Sequence, residues 1–141
     1  MSKEILDNIK SHLGYTDEEM KLFLKDPKNI EVLRRAPYLM NKTVVIEVVE
    51  SHGCNSQHKV GDKFYFDGFG NLLTKLSPSR ICISALGAVE KLIYAASALM
   101  YTGQDPNEKL FPVRTGCPDV GLKCGGWGNI VMELKVIDRE R

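Results

Sequence analysis

Residues 77–103 read SPSRICISALGAVEKLIYAASALMYTG, and this stretch decides how the rest of the chain is interpreted. Its apolar residues recur at helical spacing over a wide face, which predicts a long helix packed in a core. Ser77 and Pro78 are typical of an N-cap and a first helical position, and Gly103 is typical of a helix end. The pattern places Cys82 about one turn into this helix.

Two charged residues at the centre of the same stretch indicate whether it could span a membrane. Glu90 and Lys91 interrupt its apolar run, which favours a buried helix over a membrane span. The N-terminal sequence MSKEILDNIKSHLGYTDEE is amphipathic and charged throughout, unlike a secretory signal. A net charge of +1, with 43% apolar and 26% charged residues, is ordinary for a globular protein and argues against a dedicated nucleic-acid binder. We expect a cytoplasmic protein that binds neither membrane nor nucleic acid.

Strand patterns lie on both sides of the long helix. The segment 43–51, TVVIEVVES, is β-branched and apolar, and 62–68, DKFYFDG, alternates in the manner of a strand. After the helix, a short extended piece is expected at 110–113, and 129–140, NIVMELKVIDRE, alternates clearly. The order predicts an α+β fold in which N-terminal short helices precede a small, mostly antiparallel sheet packed on one long central helix.

The first forty residues have a helical texture of their own. Thr16 and Glu19 form a capping-box pattern that opens one helix, and Pro37 is expected to end the last of them near Ala36. We therefore divide the chain into an N-terminal helical arm, 1–40, and an α+β domain, 41–141. The arm has no catalytic pattern, so packing or homo-oligomer formation is its expected role.

Cysteine and histidine residues lie at the ends of the predicted elements. Four cysteines without an export signal suggest a reducing compartment, where cysteines are more often free, metal-bound or reactive than disulfide-bonded. Thiolates and imidazole suit zinc or an iron–sulfur cluster, and four ligands complete a tetrahedral site. The predicted metal ligands are Cys54, Cys82, Cys117 and either Cys124 or His58.

Two alternatives stay open, because the paired C-x-x-C knuckles of a diagnostic metal site are absent. A cysteine near a helix N-terminus or a histidine has a lowered pKa and becomes a nucleophile. A thiol-dependent enzyme or redox protein would use Cys54 or Cys82 with His58 as its base. In a metal-free scaffold or binding subunit, the cysteines would merely pack. The residues do not decide whether the protein is an enzyme, and they name no substrate or small-molecule ligand.

The glycine-rich stretch 117–128, CPDVGLKCGGWG, precedes the last predicted strand. Its glycines match no phosphate-binding spacing and are typical of a tight turn. Asp119 is expected to cap a turn or to orient a histidine. Trp127 is expected to be a core or sheet-face residue, with cofactor stacking as the alternative.

Three segments together carry a resemblance: CNSQHKVGDKFYFDG, SRICISALGAVEKLI and GCPDVGLKCGGWGNIVMELKVI. They resemble a family of small, functionally uncharacterised proteins from anaerobic bacteria and archaea. The family pattern has a cysteine before a GD-x-F strand, one at a helix start and one near a turn into a final strand. Cys54, Cys82 and Cys117 fall on these places, whereas Cys124 and GGWG depart from the pattern. The resemblance covers about 43–137 and implies an anaerobic cytoplasm with a redox or metal-linked role.

Overall fold

The structure is a computed structural model that describes residues 2–140. In this part of the chain, five α-helices accompany a four-stranded antiparallel sheet, which confirms the predicted α+β class. The elements in chain order are α1 Lys3–Leu13, α2 Asp17–Leu24, α3 Pro27–Met40, β1 Lys42–His52, β2 Lys63–Asp67, α4 Ile83–Tyr101, α5 Pro106–Lys109, β3 Arg114–Gly116 and β4 Asn129–Asp138, with a 3₁₀ turn at Leu122–Cys124 before β4.

The chain forms two compact units, the first ending at Pro37 and the second beginning at Tyr38. In the first unit the predicted capping box of α2 is present: the Glu19 N–H donates to Thr16 Oγ1 (3.1 Å), and the Thr16 N–H donates to Glu19 Oε1 (2.9 Å). The expected helix end before Pro37 is wrong, because α3 continues to Met40. Leu39, in this last turn, is fully buried in the core of the second unit, and that burial outweighs the local preference against proline.

The sheet has the strand order β2-β1-β4-β3. Its longest pairing joins β1 to β4 from Lys42↔Asp138 to His52↔Asn129, with a bulge between Val48 and Glu50. Because all pairs are antiparallel, β1 and β3 end where β2 and β4 begin. We call this edge the site end of the sheet.

One face of the sheet packs against α4. The inward residues of α4 follow helical spacing, and alternate residues of the strands meet them, so both patterns are amphipathic as expected. Burial of each large apolar side chain contributes about 1.5–3 kcal/mol, and this layer dominates the stability of the unit. The buried residues are Ala85, Val89, Leu92, Ala96 and Met100 of α4, with Val44, Ile46, Val48, Phe64, Phe66, Ile130, Met132, Leu134 and Val136 of the strands.

The length and composition of α4 also match those of a membrane span, and it is the one such helix among the described residues. The core helix of a globular domain passes the same test. Five residues of α4 are buried in the core with the sheet, and 33% of its most apolar window is buried.

The start of α4 differs from the prediction. The helix begins at Ile83 with Cys82 as its N-cap residue, not at Pro78. Ser77 was predicted as the cap. Its hydroxyl instead accepts the N–H of Tyr65 at 2.9 Å, a backbone group on the outer edge of β2. Cys82 therefore lies at the very N-terminus of the helix rather than one turn inside it.

Asn107, in α5, extends the hydrogen bonding of β4 where β3 no longer pairs with it. Its Nδ2 donates to the carbonyl of Val136, and the N–H of Val136 donates to its Oδ1, both at 2.8 Å. The side-chain amide thus satisfies both backbone groups of one strand residue, as a neighbouring strand would.

We expect Asn107→Ala to lower the free energy of unfolding by about 1–2 kcal/mol, because both backbone groups of Val136 lose their partner. Hydrogen exchange of the Val136 N–H should accelerate in parallel, which tests the local cause. Glu108→Ala, at the exposed neighbouring position, is the matched control and should leave both quantities unchanged. Equal stability of the Asn107 variant and the wild type would refute this role.

Candidate functional site

Two loops and the start of α4 meet at the site end of the sheet. The loop 53–62 follows β1, and the loop 117–128 precedes β4. Their backbones touch at glycines: a Cβ added to Gly53 would lie 2.8 Å from the carbonyl oxygen of Trp127, and one added to Gly128 would collide with that of His52. Only glycine permits this close approach, so the two loops are fixed against each other.

His58 joins the first of these loops to α4. Its Nε2 accepts the N–H of Cys82 at 3.1 Å, and its ring packs edge-on against Phe64 with centroids 5.2 Å apart. The side chain is only 4% exposed. Burial lowers the pKa of His58, the charge of Arg80 lowers it further, and Asp62 opposes the shift. Burial and the N–H accepted at Nε2 both favour the neutral form of His58.

This arrangement changes the role of His58. A ring nitrogen that accepts an N–H cannot carry a proton, so Nε2 has no lone pair left for a thiol or a metal. The prediction of His58 as a catalytic base is wrong. The residue instead fixes the first turn of α4 to the loop after β1.

Cys82 has the most distinctive electrostatic surroundings of the four cysteines. Its pKa is lowered, first by the backbone N–H of Ala85, with further contributions from the Ser84 N–H and the hydroxyls of Ser56 and Ser84, while partial burial opposes them. Within the described residues, its sulfur makes no regular capping hydrogen bond. The N–H groups that lower this pKa belong to the first turn of α4, where the helix dipole is positive.

Cys54 and Cys117, like Cys82, are half-buried against the core, but neither is the N-cap residue of a helix. Cys117 Sγ accepts the N–H of Ile130 at 3.4 Å, which places this sulfur in the β3–β4 connection. Cys54 is half-buried against the core, and Cys124 is exposed in the 3₁₀ turn. All four cysteines are free thiols in the described chain.

The predicted metal site is wrong. Among residues 2–140, no three His, Cys, Asp or Glu side chains are grouped so as to hold one metal ion. The proposed ligands Cys54, His58, Cys82, Cys117 and Cys124 share the site end of the sheet or its loops without sharing a centre. His58 Nε2 is committed to a backbone N–H, Cys117 faces Ile130, and Cys124 is exposed. The structure thus corrects the zinc or iron–sulfur interpretation.

Asp119 organises the glycine-rich loop. Its Oδ1 accepts the N–H groups of Gly121 (2.8 Å) and Trp127 (3.2 Å), so it caps the turn, which is the first of its two expected roles. The expectation that Trp127 is a core or sheet-face residue is wrong, because its side chain is 71% exposed. Asp119 on one side and the pinned Gly128 on the other fix its backbone and leave the indole in solvent.

Sequence reasoning missed Ser56 and Ser84, whose hydroxyls contribute to the lowered pKa of Cys82. Ser84 follows Cys82 by two residues and would have been found if the helix start had been placed at Cys82. Ser56 gave no local signal, because only the fold brings the loop after β1 to this helix end.

Comparisons with protein-family models, with curated proteins and with solved structures give no match for this chain. The resemblance to an anaerobe family therefore stays a prediction.

The buried His58 predicts that stability falls as the pH falls. Its folded-state pKa lies below the unfolded value of about 6.5. Its contribution to the free energy of unfolding is therefore complete above that value and is lost as the pH falls through the folded-state pKa. Between pH 7.5 and 5.5 the slope should not exceed about 1.4 kcal/mol per pH unit for one proton.

Urea unfolding followed by circular dichroism at several pH values measures this slope. His58→Asn should flatten it and should also cost about 2–3 kcal/mol at pH 7.5, through lost packing on Phe64 and a weakened partner for the Cys82 N–H. His52→Asn, an exposed position at the end of β1, is the matched control. If the His58 variant kept the full slope, another group would be responsible.

Proposed function

We propose that the protein acts through a nucleophilic thiolate at Cys82. The observation that carries this proposal is the position of Cys82 as the N-cap residue of α4, where backbone N–H groups and two serine hydroxyls lower its pKa. Cys82 is half-buried and packs against the core, so part of the residue is exposed to solvent. This is the thiol-dependent alternative without its histidine base.

The proposed chemistry needs no general base beside the sulfur. The thiolate, rather than the thiol, is the nucleophile, and the helix N-terminus favours the ionised form before a substrate arrives. In the reaction, a sulfur electron pair forms a bond to an electrophilic carbon or sulfur, and the leaving group departs with its own electron pair.

A thiol of lowered pKa is also a good leaving group, because the same N–H groups stabilise it when it is released. An adduct on Cys82 would therefore be resolved readily by a second nucleophile. This property suits a transient covalent intermediate in group transfer or in thiol–disulfide exchange better than a permanent attachment.

A reducing cytoplasm is part of the proposal, since a reactive thiolate is kept reduced there by the cellular thiol pool.

Self-association through the N-terminal helices is a separate expectation. Sedimentation of the full chain over a range of concentrations tests it, and a constant monomer mass would refute it.

The proposal is tested by the pH dependence of alkylation at Cys82. Reaction with iodoacetamide, followed by mass spectrometry of the peptide that contains Cys82, gives a rate at each pH. The midpoint of this profile should lie at lower pH in the folded protein than for the same cysteine in the urea-unfolded chain. A midpoint that is equal or higher in the folded protein would refute the thiolate.

Ser56→Ala supplies the structural test of the same site. Removal of its hydroxyl should move the midpoint of the Cys82 profile to higher pH, because one stabilising contact to the thiolate is lost. Ser79→Ala, on an exposed residue of the segment before α4, should leave the profile unchanged. Equal profiles for the Ser56 variant and the wild type would show that this hydroxyl has no part in the site.

A further inference from the structure

A groove of about 440 Å³ runs along α4, on a face next to the one that packs on the sheet. Leu86, Glu90, Ile93 and Ser97 line it at helical spacing, so it extends along most of the helix. Its volume lies in the range of small-molecule binding sites. It is separate from the Cys82 sulfur, which does not line it.

The wall opposite α4 is a rigid turn that follows β2. Asp67 Oδ1 accepts the N–H groups of Phe69 (3.0 Å) and Asn71 (2.9 Å), and Phe66 pairs with Leu72 across the turn. A Cβ added to Gly70 would lie 3.4 Å from Ile93 Cγ2, so the turn reaches the helix at this point. The turn thus closes the groove on the side opposite α4.

The lining combines aromatic rings with a single charge. Phe69, Tyr94 and Tyr101 contribute rings, and most of the remaining lining is aliphatic. Glu90 is the one charged residue in the lining among residues 2–140, and it forms no ion pair with any described residue. Glu90 is exposed at this groove, and its charge attracts a cation that the ring faces of the lining attract as well.

We propose that this groove binds an organic cation, namely an ammonium group carried by an apolar or aromatic body. Glu90 receives the ammonium group, Tyr94 and Phe69 offer ring faces to it, and the aliphatic residues cover its apolar body. This function is independent of the thiolate at Cys82.

The negative charge of Glu90 favours an organic cation in the groove over an anionic amphiphile or a second copy of the chain. An anionic amphiphile would face Glu90 without a compensating cation in the described lining. A second copy of the chain packed symmetrically on this groove would bring two Glu90 carboxylates into one interface. Both arrangements place like charges together, whereas an organic cation neutralises the groove.

The experiment uses benzyltrimethylammonium as the probe and phenylmethanesulfonate as its anionic counterpart, each titrated into the ¹⁵N-labelled full chain and followed by NMR. The cation should bind with a dissociation constant of about a millimolar, as expected for so small a molecule, and should shift signals of the groove residues. The sulfonate should bind more weakly.

Substitutions on the surface of α4 test which side chains contribute to binding of the cation. Glu90→Gln should weaken binding of the cation about five-fold, and Tyr94→Ala, at a side chain that is 78% exposed, about three-fold. Lys91→Gln, exposed on the same helix and outside the groove lining, is the matched control and should bind no more weakly than the wild type. Cys82→Ser should bind the cation as the wild type does.

Three results would overturn the proposal. The first is equal binding of cation and sulfonate, or unchanged binding in the Glu90 variant, because the charge would then have no role. The second is the absence of saturable shifts at groove residues up to about 20 mM, well beyond the expected dissociation constant. The third is a concentration-dependent dimer whose interface signals are those of the groove, which would make it a self-association surface.

Discussion

The pairing of β1 with β4 is the interaction on which the rest of the second unit depends. It joins Lys42 to Asp138 at one end and His52 to Asn129 at the other, and β2 and β3 attach to its two sides. Before the bulge, the even-numbered residues of β1 face the core. The bulge between Val48 and Glu50 reverses this alternation, so Ser51 pairs with the buried Ile130 and turns inward.

That reversal connects the sheet to the thiol. The hydroxyl of Ser51 donates to the carbonyl of His58 at 2.6 Å, and the ring of His58 in turn accepts the N–H of Cys82. Two hydrogen bonds therefore fix the loop 53–62 at His58, one through its backbone carbonyl and one through its ring. Because His58 must be neutral to accept this hydrogen bond, its burial and its lowered pKa are requirements of the helix start rather than signs of catalysis.

The α+β fold was predictable because its period-two strands and long apolar helix are local patterns. The start of α4 was not predictable, because Ser77 and Pro78 match the local sequence pattern of a helix cap. Only the fold shows that the Ser77 hydroxyl accepts the N–H of Tyr65 instead. The metal prediction failed for a related reason. Strand directions suggested that loops at one end of the sheet could bring the cysteines together, but ligation depends on where each lone pair points, and the Nε2 lone pair of His58 already accepts a backbone N–H.

The two proposed sites lie on one helix, but the helix dipole stabilises a negative charge at only one of them. A thiolate at Cys82 is stabilised by the N-terminal N–H groups, whereas Glu90, eight residues further on, is about 12 Å away along the axis and beyond the reach of that terminus. Glu90 therefore needs a cation from outside. At this separation, salt screens most of the interaction between the two charges, so a cation in the groove should change the pKa of Cys82 little. A substrate would engage both sites only if its ammonium group and its electrophilic centre were about that far apart.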